Sequence, residues 1–324
     1  MTKKMVSLTA SVLALGLFSQ TANAQLQGYE SFSYTSGTTL TGISPGSGLF
    51  PNNWTTKTPG TTSAVGSSGL GYTDGSGNTL STTGNSGVSV GSSATDNPQL
   101  VFGSTLGVAS GATATAGSGT IWISYLWQGL NTSAAGSLFR QATFGLYSGM
   151  TTSSGSGNEY LDIGMPNIQS STVGTVNPNI SLWYGGKGLA GQTSSSTAPA
   201  INSSAAANGG NTLMIVLQLQ MDNSTTTADT LNMWINPTLG GAGPTGTEYT
   251  YSLQDLTSIN GIRMASGNTN LASFGALPGM QQYDEIRVGD TFADVSPIVT
   301  PEPTVFALAG LGSAALLVFR RRRA

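Results

Sequence analysis

Two stretches of the chain carry strand periodicity most clearly. In "TIWISYLW", Ile121, Ile123, Tyr125 and Trp127 alternate onto one face and Trp122 and Leu126 onto the other. Both faces are apolar, which predicts a central strand covered on each side. In "TLMIVLQLQM", Leu213, Ile215, Leu217, Leu219 and Met221 share one face, while the other turns polar at Gln218 and Gln220. That pattern predicts a strand half exposed towards its end. Shorter runs, "ESFSY", "ATFGLY", "YLDIG", "ISLWY", "LNMWI", "YTYSL", "IRM" and "DEIRV", are separated by segments rich in Gly, Ser, Thr and Asn, such as 58–97, 148–157 and 193–211. Between the chain ends no segment keeps helical periodicity for three turns. The pattern predicts one all-β domain over residues 25–299, an antiparallel β-sandwich or jelly roll.

The ends read differently. Lys3 and Lys4 precede an apolar run from Met5 to Phe18 and a small-x-small site, Ala22-Asn23-Ala24. This is the layout of a secretory signal helix over residues 1–24, cut between Ala24 and Gln25. At the other end, Pro301-Glu302-Pro303 is followed by an apolar run over 304–319 and by Arg320, Arg321, Arg322 and Arg323. Sixteen helical residues rise roughly 24 Å, short of the about 30 Å hydrocarbon core. The run therefore predicts a marginal membrane helix, with its arginines held cytoplasmic and the preceding domain outside.

These three parts, in this order over residues 300–324, resemble the PEP-CTERM sorting signal. The resemblance implies that Pro301, Glu302, Pro303 and the arginines form a substrate motif. An exosortase would read it at an inner-membrane intermediate, after the general secretion machinery has exported the chain. The protein would then reach the cell surface or extracellular matrix of an exopolysaccharide-producing bacterium.

Charge becomes informative once the ends are set aside. Of 11 basic residues, two lie in the signal and four in the tail, leaving Lys57, Arg140, Lys187, Arg263 and Arg287; of 14 acidic residues only Glu302 lies in an end segment, so the domain carries a net −8. Nucleic acid is excluded as a partner, since no basic stripe exists to neutralise phosphates. The chain has no Cys and no His. Thiol nucleophiles, imidazole bases, Ser-His-Asp triads and the common zinc sites are absent with them.

A second resemblance concerns the domain. "GYESFSYTSGTTLTG", "LMIVLQLQMD" with "DTLNMWINP", and "YDEIRVGDTFADVSP" resemble the opening strand, paired hairpin and closing strand of laminin-G-like, concanavalin-A-like jelly rolls. This implies a carbohydrate- or protein-facing sheet surface in a fold that hosts lectins, glucanases and structural modules alike.

Catalysis would have to use carboxylates. In "EYLDIGM", Glu159 and Asp162 are three residues apart, which in a regular strand sends them to opposite faces and defeats a glycosidase pair. In "YDEIRVGD", Asp284 and Glu285 are expected on opposite faces, with Arg287 beside Glu285 in an ion pair near the sheet surface. Asp222 and Asp229 are candidate calcium ligands in one hairpin loop, but they lack EF-hand order and read better as a solvated turn. No cofactor is otherwise indicated. Among the tryptophans, Trp122 and Trp127 read as core; Trp183, Tyr184 and Trp234 are the candidates for stacking on sugar rings.

The expectation is therefore a secreted, surface-sorted matrix or envelope protein, non-enzymatic, with extracellular polysaccharide as candidate ligand. The rival expectation is a secreted carbohydrate-active enzyme, a glycoside hydrolase or lyase, on a jelly-roll fold.

Overall fold

The computed structural model describes residues 26–46, 48–56, 63–90, 98–107, 118–129, 142–151, 158–165, 181–184, 212–222, 227–246, 248–253, 258–266 and 280–299; at 90, 118, 142, 158–160, 164–165, 181–184, 248 and 280 it describes the backbone alone. The expected terminal helices, 1–24 and 304–319, lie outside these residues. No helix among the described residues is long and apolar enough to cross a membrane.

In chain order the elements are β1 (Leu26–Glu30), β2 (Thr55–Thr56), β3 (Ala64–Val65), β4 (Gly87–Val90), β5 (Pro98–Leu106), β6 (Ser118–Gly129), β7 (Ala142–Ser148) and β8 (Asn158–Met165). They continue with β9 (Ser181–Tyr184), β10 (Leu213–Asp222), β11 (Thr230–Ile235), β12 (Glu248–Ser252), β13 (Ile259–Ser266), β14 (Met280–Gly289) and a one-turn helix α1 (Phe292–Val295). The strands form an eight-stranded sheet, β12-β11-β10-β6-β14-β4-β3 with β1 also on β14, and a six-stranded sheet, β2-β5-β13-β7-β8-β9. The described ladders are antiparallel. The protein is an all-β antiparallel sandwich.

The two long apolar stretches lie where alternation puts them. β6 sits between β10 and β14. Its Ile121, Ile123, Tyr125 and Trp127 join Leu213, Ile215, Leu217, Leu219 and Met221 of β10 in the core between the sheets. Trp122 and Leu126 join Met214 and Val216 in a second apolar cluster on the outer face of the eight-stranded sheet. Gln281, fully buried, crosses between the sheets: it accepts from Trp127 Nε1 at 3.1 Å and donates to Ala265 O at 2.8 Å and Ser266 Oγ at 2.9 Å. A buried amide satisfied at both ends fixes how the sheets face each other, because leaving either end unpaired is costly.

Two local departures from the sequence pattern have side-chain causes. "ESFSY" does not continue as a strand, since β1 stops at Glu30 and Phe32 takes φ 50°. The Glu30 carboxylate accepts from Phe32 N at 2.6 Å, from Trp54 Nε1 at 2.8 Å and from Tyr34 OH at 2.9 Å, folding the chain back over its own side chain. In β14, the neighbour on one side changes from β4 at Tyr283 to β1 at Ile286, and the register against β6 shifts between Asp284 and Arg287. Glu285 takes φ 54° at this bulge. β4, β5 and the two-residue β2 and β3 escaped the sequence pattern. β3 and β4 lie in a small-residue segment read as a connection, and β5 starts on Pro98 and is interrupted by Gly103.

Candidate functional site

The outer face of the six-stranded sheet carries a row of ladder positions across all six strands, polar at Thr55, Gln99, Arg263 and Asp162. Ladder partners run Thr55, Gln99, Arg263, Gly145, Asp162 and Trp183, one from each of β2, β5, β13, β7, β8 and β9. Their neighbours Leu100, Ile262, Met264, Phe144, Leu146, Leu161 and Ile163 point inward to the core. Alternation therefore sends Gln99, Arg263 and Asp162 to the opposite face. Arg263 Nη2 donates to Gln99 Oε1 at 2.8 Å, and its guanidinium lies 4.1 Å from the centre of the Tyr147 ring. Arginine favours this arrangement, because a planar guanidinium can stack and donate in its own plane at once.

Gly145 makes the row continuous. A Cβ at this position would lie 2.1 Å from Asp162 Oδ1 and 2.6 Å from the Tyr147 ring. The Asp162 carboxylate thus leans over β7 towards Arg263, through the space a side chain would fill. Next to it, Met150 crosses over Gly261, whose Cβ would meet Met150 Sδ at 2.2 Å, and packs with Val101 and Tyr147. Asn260 holds Met150 by a paired contact: Met150 N donates to Asn260 Oδ1 at 3.0 Å and Asn260 Nδ2 donates to Met150 O at 2.9 Å. Gln99, Tyr147, Asp162 and Arg263 are all less than 5% exposed, so their rotamers are fixed by packing. The result is a rigid, buried polar cluster with donors and an acceptor at strand spacing around an aromatic ring.

The outer face of the eight-stranded sheet is occupied by the protein itself. Leu70, Tyr72 and Leu80 from one loop, Leu239 from another, and Phe292 and Val295 of α1 cover Trp122, Leu126 and Trp234. Asp74 ties two of these loops: it accepts from Ser76 N and Asn78 N, from Asn78 Nδ2 and, at 2.7 Å, from Leu239 N. Those donors hold its carboxyl down at about 2 although burial opposes them.

Asp284, Glu285 and Arg287 also belong to this covered face, and here two expectations are corrected. The bulge turns Ile286 inward with Tyr283 and Val288, and leaves Asp284 and Glu285 together on the outer side rather than on opposite faces. Nor is the Glu285–Arg287 ion pair near the surface; both side chains are buried. Asp284 accepts from Leu70 N at 2.7 Å and Glu285 N at 2.8 Å. Glu285 accepts from Thr83 N at 2.6 Å, from Tyr29 OH at 2.8 Å and from Arg287, which also donates to Ser81 O. Burial pushes Asp284 up to about 8 and raises Glu285, against the pull of those donors. Every oxygen of the two carboxylates accepts a hydrogen bond, and those from Leu70 N and Thr83 N, with Arg287 donating to Ser81 O, hold the loop over residues 70–83 to the sheet. This is a structural seam, filling the gap between the ends of β4 and β1.

Of the residues singled out by sequence, Trp234 is corrected: it is buried, with its ring stacked 5.7 Å from Trp122. Asn232 and Asn236 flank it in sequence, but Trp122 and the loop over residues 70–80 come from distant parts of the chain to cover it. Trp183 and Tyr184 lie in β9, and Trp183 is placed at the end of the polar row, while their side chains lie outside the description. Glu159 and Asp162 are not separated by simple alternation, contrary to the expectation from the sequence. Leu146 pairs with Leu161 and Tyr147 with Glu159, so Tyr160 is an extra residue and alternation is broken between the two acids. Asp229 Oδ1 accepts from Asp222 N at 3.2 Å, closing the β10–β11 hairpin. Among the described residues no cluster of three or more metal-ligating acids occurs. Ala22, Ala24, Gln25, Pro301, Glu302, Pro303 and Arg320 to Arg323 lie outside the described residues. Sequence reasoning missed Gln99, Arg263 and Tyr147; the isolated Arg263 in "IRM", a lone cation between apolar residues, was the available signal.

Three solved structures resemble the chain in part. An endo-β-1,4-glucuronan lyase from the fungus Trichoderma reesei is 13% identical with a TM-score of 0.47, over 84% of this chain and 99% of that one. Alginate lyase Aly36B is 11% identical with a TM-score of 0.39, over 65% and 82%. Basic winged bean lectin with Tn-antigen is 9% identical with a TM-score of 0.37, over 68% and 89%. No curated protein matches the chain. Residues 299–323 match the PEP-CTERM protein-sorting motif. That motif implies exosortase processing and marks this β-sandwich protein as exported and targeted to the surface.

Proposed function

We propose that the surface-delivered protein is a non-catalytic component of the extracellular matrix or envelope, and that it binds polysaccharide on the outer face of its six-stranded sheet. The row from Gln99 through Arg263 to Asp162 carries this reading. Each sugar hydroxyl both donates and accepts, so recognition needs donors and acceptors fixed in alternation beside a flat apolar surface. The row supplies an amide, a guanidinium and a carboxylate, with Tyr147 stacked among them. Exposure does not separate the two outer faces, since Trp122 and Trp234 are 9% and 6% exposed and Gln99, Arg263 and Asp162 of the row less than 5%; the polar character of the row is what favours the six-stranded sheet. The net −8 of the domain disfavours highly acidic polymers, so neutral glycans are the favoured ligands. The non-catalytic part of the proposal is supported by the engagement of Asp284 and Glu285 in the seam, which leaves that pair no role as acid and base.

A polysaccharide array probed with the exported protein tests this. Arg263→Met keeps the buried stem and removes the charge. It is expected to weaken binding at least tenfold while the protein stays folded, since a hydrogen bond from a charged group is commonly worth that much. Retained binding in this variant would move the site elsewhere. Release of new reducing ends or of unsaturated sugars from the bound polymer would establish the enzyme instead.

A further inference from the structure

The end of the folded domain lies hard against the sorting motif. Thr291 caps α1 in a reciprocal arrangement with Asp294, and Phe292 and Val295 are buried in the second apolar cluster. Ser124 Oγ donates to Val295 O at 2.6 Å. The chain then runs antiparallel to residues 79–81: Ser81 N donates to Pro297 O at 2.8 Å, Ile298 bridges Leu80, and Val299 N donates to Thr79 O at 2.9 Å. Ile298 packs on the same apolar cluster. Only Thr300 separates this last tied residue from Pro301-Glu302-Pro303.

Enzymes that process a peptide segment usually hold it extended, paired through its backbone over several residues. With the clasp closed, a single residue on the amino-terminal side of the tripeptide is available for that pairing. The reach is short as well. Thr300 to Pro303 span at most about 14 Å, so the folded domain must stay close to wherever the apolar run is held. Resting on the exosortase processing that the motif implies, we infer that the 297–299 clasp gates it: the folded domain is a poor substrate until Pro297–Val299 detach from residues 79–81. Cleavage breaks one peptide bond, its acyl carbon passing to water or an acceptor amine and the new amine leaving with the tail. The clasp decides only when the segment reaches that chemistry. Each of the two backbone hydrogen bonds is worth roughly a fivefold change in the open–closed balance, so freeing both offers about 25-fold.

A six-residue Gly-Ser linker inserted between Val299 and Thr300 provides the test, because it lies outside every described contact. In cells that export the full chain, pulse-labelling followed by intact-mass measurement reads the rate at which the tail disappears. The linker chain is expected to be processed at least about tenfold faster than the parent. Ile298→Gly, which loosens the clasp without altering the motif, is expected to accelerate processing too. Equal rates in parent and linker chains would overturn the gate while leaving the sorting role intact. A linker chain processed where the parent is not would support it, and absence of processing in both would overturn the gate together with the sorting role.

Discussion

Gly145→Ala tests whether the polar row is built as described. The new methyl would lie 2.1 Å from Asp162 Oδ1 and 2.6 Å from the Tyr147 ring, where comfortable contact begins near about 3.5 Å. Tyr147 cannot yield, being held by Arg263 on its face and Met150 beside it. Asp162 must therefore withdraw by more than about 1 Å from a site where it is 4% exposed. Overpacking of this kind costs about 1–3 kcal/mol. Gly145 does not need a positive φ, so alanine also gains about 0.4–1 kcal/mol by restricting the unfolded chain. The net expectation is a loss of roughly 1–2 kcal/mol in urea unfolding, with glycan binding impaired. Asp162→Ala should remove the closer of the two clashes, so the double variant is expected to be at least about 1 kcal/mol more stable than additivity allows. Additive effects, or a Gly145→Ala protein as stable as the parent, would refute the placement of Asp162 over Gly145.

Two further predictions concern the opposite sheet. Burial pushes Asp284 up to about 8, so its native form holds a proton that the unfolded chain releases near pH 4; the stability this gives is full at acid pH and is lost as pH rises through about 8. The parent is expected to lose on the order of 3 kcal/mol between pH 5 and 8, at about 1.36 kcal/mol per unit, and Asp284→Asn should flatten that slope. Glu30 and Glu285 are raised in the same direction, while Asp74, held at about 2, does not titrate in this window; chemical denaturation across the range checks the sign, and a slope unchanged in the variant would refute it. Trp234→Ala is expected to cost about 3–5 kcal/mol as a buried aromatic stacked on Trp122; a loss below about 0.5 kcal/mol, normal for a surface residue, would return it to the sugar-stacking role.

The sequence alone determined the sorting motif over residues 299–323 and the all-β character of the domain. A sorting motif is read in an extended or membrane-bound chain, so its information is linear and legible without a fold. The strands of "TIWISYLW" and "TLMIVLQLQM" were legible because alternation is local: a period of two assigns each side chain to a face once the strand is granted. What alternation could not supply were its own interruptions. The extra residue at Tyr160 and the bulge at Glu285 arise where a partner strand ends or shifts, so the faces of Glu159, Asp162, Asp284 and Glu285 depended on β7, β6, β4 and β1. Burial of Trp234 likewise depended on Trp122 and the loop over residues 70–80, each more than a hundred residues away. The polar row was hidden for the same reason: Gln99, Tyr147, Asp162 and Arg263 come from four strands scattered along the chain, and only the ladders of the six-stranded sheet bring them side by side. A sheet's outer face is assembled by register between distant segments, and register is a property of pairs of strands that no single strand encodes.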